Sequence, residues 1–403
     1  MMFDAVVIGA GPAGATAARL LARAGWSVAI VEKTRLPRRK VCGEFISATS
    51  LPLFDEPELR EAFLAQAGPE IRRVGFFARE TVLSSPMPAA ANGVAAWGRA
   101  LGREKLDTLL RDAAVRAGAQ LWQPWKLTEV KSDPHGHRCT IASGERMAEL
   151  TGRVLIAANG SWEQSPLSQS AAPAHRAGDL LAFKAHFENS ELSADLMPLL
   201  VFTGGYGGMV HTDEGRVSLS CCIRRDSLAA CRRTHPGLRA GDAVLAHIAA
   251  SSVGVRDALG RARVQDAWLS AGPIRPGIRP RHSGGVFFAG NSAGEAHPIV
   301  AEGISMAMQS AWLLSRALLE AKSGFSADAL AQAGRAYSAA WRKSFAPRIR
   351  VAALFAQLGS RPDLFAPALP LLERFPNILT WGAQFSGKAT QIVAAPHPST
   401  SSG

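Results

Sequence analysis

Three glycines near the N-terminus, Gly9, Gly11 and Gly14, restrict the fold of this chain more than any other feature, because of what surrounds them. Residues 3–8 (FDAVVI) read as a buried strand and residues 12–24, rich in Ala, Leu and Arg, as a helix. Residues 27–31 read as a second strand, which delivers Glu32. In such a unit Gly9 makes the tight turn, Gly11 leaves room for a pyrophosphate against the backbone, and Gly14 lets helix and strand pack closely. Pro12 and Ala13 open the helix, whose N-terminus offers unpaired N–H groups and a positive dipole end to phosphates. Glu32 can accept hydrogen bonds from a ribose diol, with Lys33 next to it. Ala18, Leu21, Gly25 and Val28 supply the small residue, core residue, helix stop and strand core that a βαβ unit needs. The turn predicts a nucleotide cofactor, whose identity depends on the rest of the chain.

At 403 residues the chain is long for one core, so two associated domains are expected. A composition of 47% hydrophobic and 19% charged residues is that of a globular protein with a substantial interior. No uninterrupted apolar stretch reaches about eighteen residues, which argues against a transmembrane helix. The N-terminus lacks the basic region of a signal peptide. The net charge of +12 comes mainly from Arg scattered along the chain, not grouped in a stripe, so nucleic-acid binding is not expected. A solvated basic surface explains it plainly; a functional reading is docking to an anionic membrane or an acidic carrier protein. Five cysteines (Cys42, Cys139, Cys221, Cys222, Cys231) form no CxxC and no zinc spacing. With no export signal they read as reduced thiols of a cytoplasmic protein, with peripheral membrane contact left open. No metal-ligand cluster and no Ser/His/Asp arrangement is visible.

The organisation that follows is α/β. Short apolar runs at 71–78 and 81–87 look like strands outside the first domain, 102–117 is an amphipathic helix, and 121–130 supplies a strand. A buried strand at 153–158 closes on Asn159, Gly160 and Ser161. Between about 180 and 268, β-rich runs (181–187, 199–203, 216–222) alternate with glycine turns, which suits an antiparallel sheet. Residues 285–290 return as a strand of the first type, leading through a loop into a helix from 304 to about 321. The rest, to about 387, reads as helices with proline breaks. The expected layout is a discontinuous Rossmann-like cofactor domain (1–70, 99–170 and 272–322) with a β-rich substrate domain (71–98 and 171–271) inserted into it. C-terminal helices (323–395) and a disordered tail (396–403) complete it.

Four markers, in order, resemble the flavin-dependent family of geranylgeranyl reductases and, more distantly, p-hydroxybenzoate hydroxylase-type monooxygenases, over about the first 320 residues. They are the turn from Gly9 to Glu32; Lys40-Val41-Cys42-Gly43-Glu44; Arg103 with Leu106-Asp107; and Ala289-Gly290-Asn291-Ser292-Ala293-Gly294 followed by Pro298 and Gly303. The resemblance implies a glutathione-reductase-type fold and FAD. It places the pyrophosphate on Gly9 to Gly14 with Arg103 approaching it, the adenosine ribose on Glu32, and the adenine against backbone groups of Leu127. It further implies that Lys40, Cys42 and Gly43 lie at the cofactor, the last two near the isoalloxazine, and that Asn291 bonds the ribityl hydroxyls. Two positions where the family carries Asp hold Asn159 and Asn291, which removes two negative charges near the cofactor and should ease flavin reduction.

A helix starting at Gly303 and Ile304 would aim its positive end at the charge that reduced flavin carries. Three residues are candidates for chemistry. Cys42 sits among Arg38, Arg39 and Lys40, which favour a thiolate, yet Cys is also a common small core residue. Tyr206 lies in a glycine-rich run, 204–208, where the reductases carry Y-x-W-x-F-P; only the Tyr matches, so isoprenoid specificity is not implied. Glycines there would let a planar ligand lie close, or simply form a hairpin turn. His297, in the loop before the last helix, could exchange protons near neutrality or be structural.

No second glycine-rich unit for a nicotinamide cofactor occurs, so NAD(P)H would act as an external reductant. Two enzymatic readings remain: oxygen-dependent hydroxylation of an apolar aromatic or polyketide-like metabolite, slightly favoured, and reduction of a carbon–carbon double bond. A third class is a flavoprotein passing electrons to a partner or membrane quinone. Halogenase relatives are disfavoured by the lack of W-x-W-x-I-P.

Overall fold

The computed structural model describes residues 2–91, 94–161, 165–167, 175–321, 324–361, 367 and 369–393, so the expected tail at 396–403 lies outside the described residues. Strand β1 (Met2–Ile8) lies at the centre of a parallel sheet, between β2 (Val28–Val31) and the strand Arg146–Ala157. Gln120–Trp122 extends the sheet beyond β2, and Val286–Phe288 extends it on the other side. The central strands are continuous apolar runs because both of their faces are covered. Val6, Val7, Ile30 and Ile156 are fully buried, and truncating one to Ala costs about 2–5 kcal/mol.

Helix α1 (Pro12–Arg23) packs against the helices Arg103–Arg116 and Gly303–Leu319, so three distant segments meet beside the glycine turn. The helix Ala327–Gly359 adds Tyr337, Trp341 and Phe345 to the same core. It runs through Pro347 without stopping, where the proline had been expected to break it. The strand expected at 121–130 is two strands, Gln120–Trp122 and Lys126–Asp133, parted at Pro124, which has no N–H to continue a ladder.

The second sheet joins strands from separate chain segments. Arg73–Ala78 and Thr81–Pro86 form a hairpin, and Leu180–Glu188, Leu196–Phe202, Gly205–His211 and Val217–Arg224 pair antiparallel to their neighbours. One contact departs from the antiparallel expectation: Leu196–Phe202 runs parallel to Arg73–Ala78. No hairpin joins those two strands, so no turn dictates their direction. The segment read as purely β-rich also contains three helices, Arg225–Thr234, Ala240–Ala250 and Val253–Leu259. Their Cys231, Val244, Ile248 and Val255 cover one face of the sheet, packing on Phe183, Phe187 and Leu219. The alternate residues, Ala182, Tyr206, Ser220 and Cys222, are thereby left for the opposite face, towards the first domain.

Candidate active site

A single cavity of about 630 Å³ runs between the two sheets. It is lined by Gly9, Gly11, Pro12, Ala13, Glu32, Lys33, Lys40, Cys42, Gly43, Arg103, Leu127, Asn291, Gly303 and Ile304, and at its other end by Tyr206 and His297. Of the candidate cofactor-binding and catalytic residues, Gly14 alone does not line it. A Cβ on Gly14 would stand 1.8 Å from the Gly9 carbonyl oxygen, so glycine there serves the packing of helix on turn.

The glycine turn has the geometry of a phosphate cradle. Gly9 adopts φ +105, and a Cβ on it would meet the Ala158 carbonyl oxygen at 2.6 Å. At Gly11 the space is open: the nearest atom to a built Cβ is Nη2 of Arg103, at 3.7 Å. Arg103 is held by two bonds to Asp107, Nε to Oδ1 at 2.7 Å and Nη2 to Oδ2 at 2.8 Å. Burial opposes its charge, but Asp107 and Cys42 more than offset this, and its pKa is raised. Lys40 shows the reverse balance. Burial, then the nearby guanidinium groups of Arg103 and Arg38, lower its pKa to about 8.

Glu32 is buried and fully engaged. Its Oε2 accepts the Ala10 N–H at 2.9 Å, and its Oε1 accepts the Thr34 N–H and Nη1 of Arg38 at 2.7 Å. Leu127 sits where the ladder to Gly136–Ser143 is irregular, between Leu127 and Glu129, next to the cavity.

The loop before helix Gly303–Leu319 carries a group the sequence reading missed. Glu295 accepts Nδ2 of Asn291 at 3.0 Å and the Ser161 hydroxyl at 2.6 Å. A buried carboxylate thus stands where the two Asn-for-Asp departures had seemed to leave none. Only its position two residues before His297 could have signalled it. The helix begins at Gly303, where a built Cβ meets nothing within 4 Å. Lys388, also missed, straps the loop from the C-terminal side through Val300 O (2.6 Å) and Glu302 Oε1 (3.0 Å).

At the other end the Tyr206 hydroxyl is 3.2 Å from Nδ1 of His297. Burial lowers the His297 pKa and raises that of Tyr206 well above its ordinary value, so both are neutral near pH 7. Cys222 is paired with Tyr206 across the ladder, and burial pushes its thiol up to about 12. The glycines around Tyr206 divide in purpose. A Cβ on Gly205 would collide with Cys222 O at 2.3 Å and one on Gly207 with Ser220 O at 2.7 Å, whereas Gly208 lines the cavity with its nearest neighbour, Pro198 O, at 3.2 Å.

Cys42 Sγ accepts the Glu44 N–H at 3.4 Å, and the Cys42 carbonyl accepts the Ser220 hydroxyl at 2.8 Å. Glu44 anchors this loop. Wholly buried, with φ +62, it bonds Lys184 and, at 2.8 Å, Nε2 of His186, and accepts the Arg103 N–H at 3.1 Å. Burial alone would raise its pKa; Lys184 and His186 outweigh that and hold it at about 2.

Residues 2–343 match the family model described as FAD binding domain. The chain belongs to that family. Among similar proteins, a menaquinone reductase of Mycobacterium tuberculosis (strain H37Rv) is 30% identical over 168 residues, 41% of this chain and 39% of that one. A rifampicin monooxygenase of Rhodococcus hoagii is 26% identical over 159 residues, 40% of this chain and 32% of that one. The chain thus spans about a third to two fifths of the length of these relatives. Among solved structures, the flavin-dependent brominase Bmp2 covers 96% of this chain and 94% of its own at a TM-score of 0.75 and 19% identity. A geranylgeranyl bacteriochlorophyll reductase-like protein of Thermoplasma acidophilum covers 95% and 99% at 0.66 and 18%. At these identities the structures show the shared fold.

The residues of this chain fit FAD. The Gly11 backbone is open beside a fixed guanidinium, an N-terminal helix end faces the same space, and the cavity continues unbroken to the Gly303 helix start.

Proposed function

We propose that the protein is an FAD-dependent oxidoreductase, a monooxygenase that hydroxylates an apolar aromatic or polyketide-like molecule with NAD(P)H as external reductant. The observation that carries this reading is the single cavity leading from the phosphate cradle to an end walled by Phe76, Met197, Val201, Met209, Ile299 and Leu372, with Tyr206 and His297 set into it. FAD, when bound, supplies the two-electron redox chemistry. The overall reaction consumes substrate, O₂, NAD(P)H and a proton, and gives hydroxylated product, NAD(P)⁺ and water.

The chain's own part is binding, orientation and proton movement. The α1 N-terminus and Arg103 would hold the pyrophosphate, and Asn291 and Glu295 would bond the ribityl chain. The Gly303 helix end would offer a positive potential to the charge of reduced flavin. Neutral His297 can take a proton from a substrate hydroxyl, with Tyr206 orienting its ring. The apolar walls exclude water. Docking through the basic surface, to a membrane or an acidic carrier protein, belongs to the same reading.

Double-bond reduction is the second reading. It is favoured by the similarity to a menaquinone reductase and by the protonated Tyr206 and Cys222 groups, either of which could deliver a proton to carbon. Consumption of NAD(P)H in the presence of apolar phenols, under ¹⁸O₂ and under nitrogen, separates the two. Label in the product supports hydroxylation; substrate-dependent consumption under nitrogen well beyond one NAD(P)H per FAD, with reduced product formed, overturns it in favour of reduction.

A further inference from the structure

Large apolar side chains stand exposed together near the C-terminal end: Leu354, Phe355, Leu371, Phe375, Trp381 and Phe385. They lie on or next to three neighbouring elements, the end of helix Ala327–Gly359, helix Leu369–Arg374, and helix Asn377–Ala383 with the turn Gln384–Lys388 that follows. Singly, exposed apolar residues need no explanation. These are tied to the cavity: Phe355, Trp381 and Phe385 line it while 40%, 60% and 72% exposed, so they mark its open end. The active-site cavity therefore opens through an aromatic rim.

The rim is also basic. Trp381 and Phe385 share a shallow depression with Lys343 and Arg348, and the Arg374 guanidinium lies over the Phe375 ring, 5.9 Å from its centroid. Residues 341–393 hold seven Lys and Arg against two carboxylates, Asp363 and Glu373, and of the seven only Arg348 and Lys388 are buried. Exposed Arg342, Lys343 and Arg350 join no ion pair among the described residues. Trp and Phe flanked by Lys and Arg form the composition that settles at a bilayer interface, rings at headgroup depth and cations against anionic lipid. No helix among the described residues is long and apolar enough to cross a membrane, so such an association would be peripheral.

We propose that this face docks on the surface of an anionic bilayer, with Trp381 and Phe385 entering the headgroup boundary, and that the cavity draws its apolar substrate from that membrane. The substrate part rests on the function proposed above; the docking part is measured without turnover, so the two fail separately.

The test is co-sedimentation of the FAD-loaded full chain with vesicles of phosphatidylcholine alone or mixed with phosphatidylglycerol. The expected result is partition onto the mixed vesicles, weakened by salt, with W381S/F385S at least tenfold weaker and K343E less salt-sensitive. Both variants change exposed side chains, and retention of bound flavin checks that they are folded. The proposal is overturned if the wild type stays in solution at every lipid concentration, or if W381S/F385S sediments as the wild type does. It is also overturned if the wild type is a dimer that W381S/F385S converts to monomer, because a second copy then covers the face.

Discussion

Tyr206 and His297, 91 residues apart in sequence, meet at 3.2 Å, phenol oxygen to Nδ1, at the apolar end of the cavity. The strand Gly205–His211 supplies one and the loop before the Gly303 helix the other, so the pair forms only when the two sheets close on each other.

If His297 takes the substrate proton, His297→Asn lowers kcat by about 10²–10⁴-fold while leaving FAD affinity unchanged. Burial lowers the His297 pKa below its ordinary 6.5, so the wild type keeps its neutral base at pH 7 and loses activity only on the acid side of that value. A kcat–pH profile of wild type and variant checks both; an acid limb retained in His297→Asn contradicts the role.

Lys40 should make FAD binding pH-dependent. Its pKa of about 8 without cofactor is depressed, and a pyrophosphate nearby would raise it, so binding takes up a proton above pH 8. Affinity is then level below pH 8 and falls above it, by up to about tenfold per pH unit. Titration calorimetry in buffers of different ionisation enthalpy measures the uptake, which Lys40→Met should abolish.

Glu295 should hold the flavin potential down, since its carboxylate disfavours the anionic reduced form. Glu295→Gln is expected to raise the two-electron potential by about 30–60 mV, on the order of 1.4–2.8 kcal/mol. Asn291→Asp should lower it. Equilibration with reference dyes gives both values, and a fall in Glu295→Gln would contradict the assignment.

The Glu44–Lys184–His186 cluster should be a stability element that fixes the Cys42 loop. Lys184→Met leaves a buried carboxylate without its main partner and costs about 3–5 kcal/mol, and adding Glu44→Gln recovers much of that. Because the Glu44 pKa is depressed to about 2, its contribution is fully present above its ordinary 4.5 and is lost as pH falls through 2. Urea unfolding of the wild type, each single variant and the double variant tests the cycle; additive losses would contradict the pairing.

The first βαβ unit was legible because Gly14 packs on Gly9 and Glu32 accepts the Ala10 N–H within one strand–turn–helix–strand unit, whose parts follow one another in the chain. The strands of the second sheet were legible from their apolar runs, but the three helices that cover it were not, since short segments such as Val253–Leu259 take their conformation from the sheet they cover. Glu295 and Lys388 were missed, and Glu44, though part of the second marker, was given no role, for a shared reason: each is defined by partners far away in sequence. Glu44 meets Lys184 and His186, Glu295 meets Ser161, and Lys388 meets Glu302. Asn291 shows the cost of that blindness, because the charge its Asn seemed to remove is supplied four residues later.

FAD in this cavity, once reduced, is expected to react with oxygen as a hydroxylating flavin. Stopped-flow mixing of the dithionite-reduced, FAD-loaded protein with oxygenated buffer decides this. The expected result is a transient absorbance distinct from both oxidised and reduced cofactor, shortened when Tyr206→Phe or His297→Asn admits water. Reoxidation in a single phase with no transient, in the wild type, would contradict it.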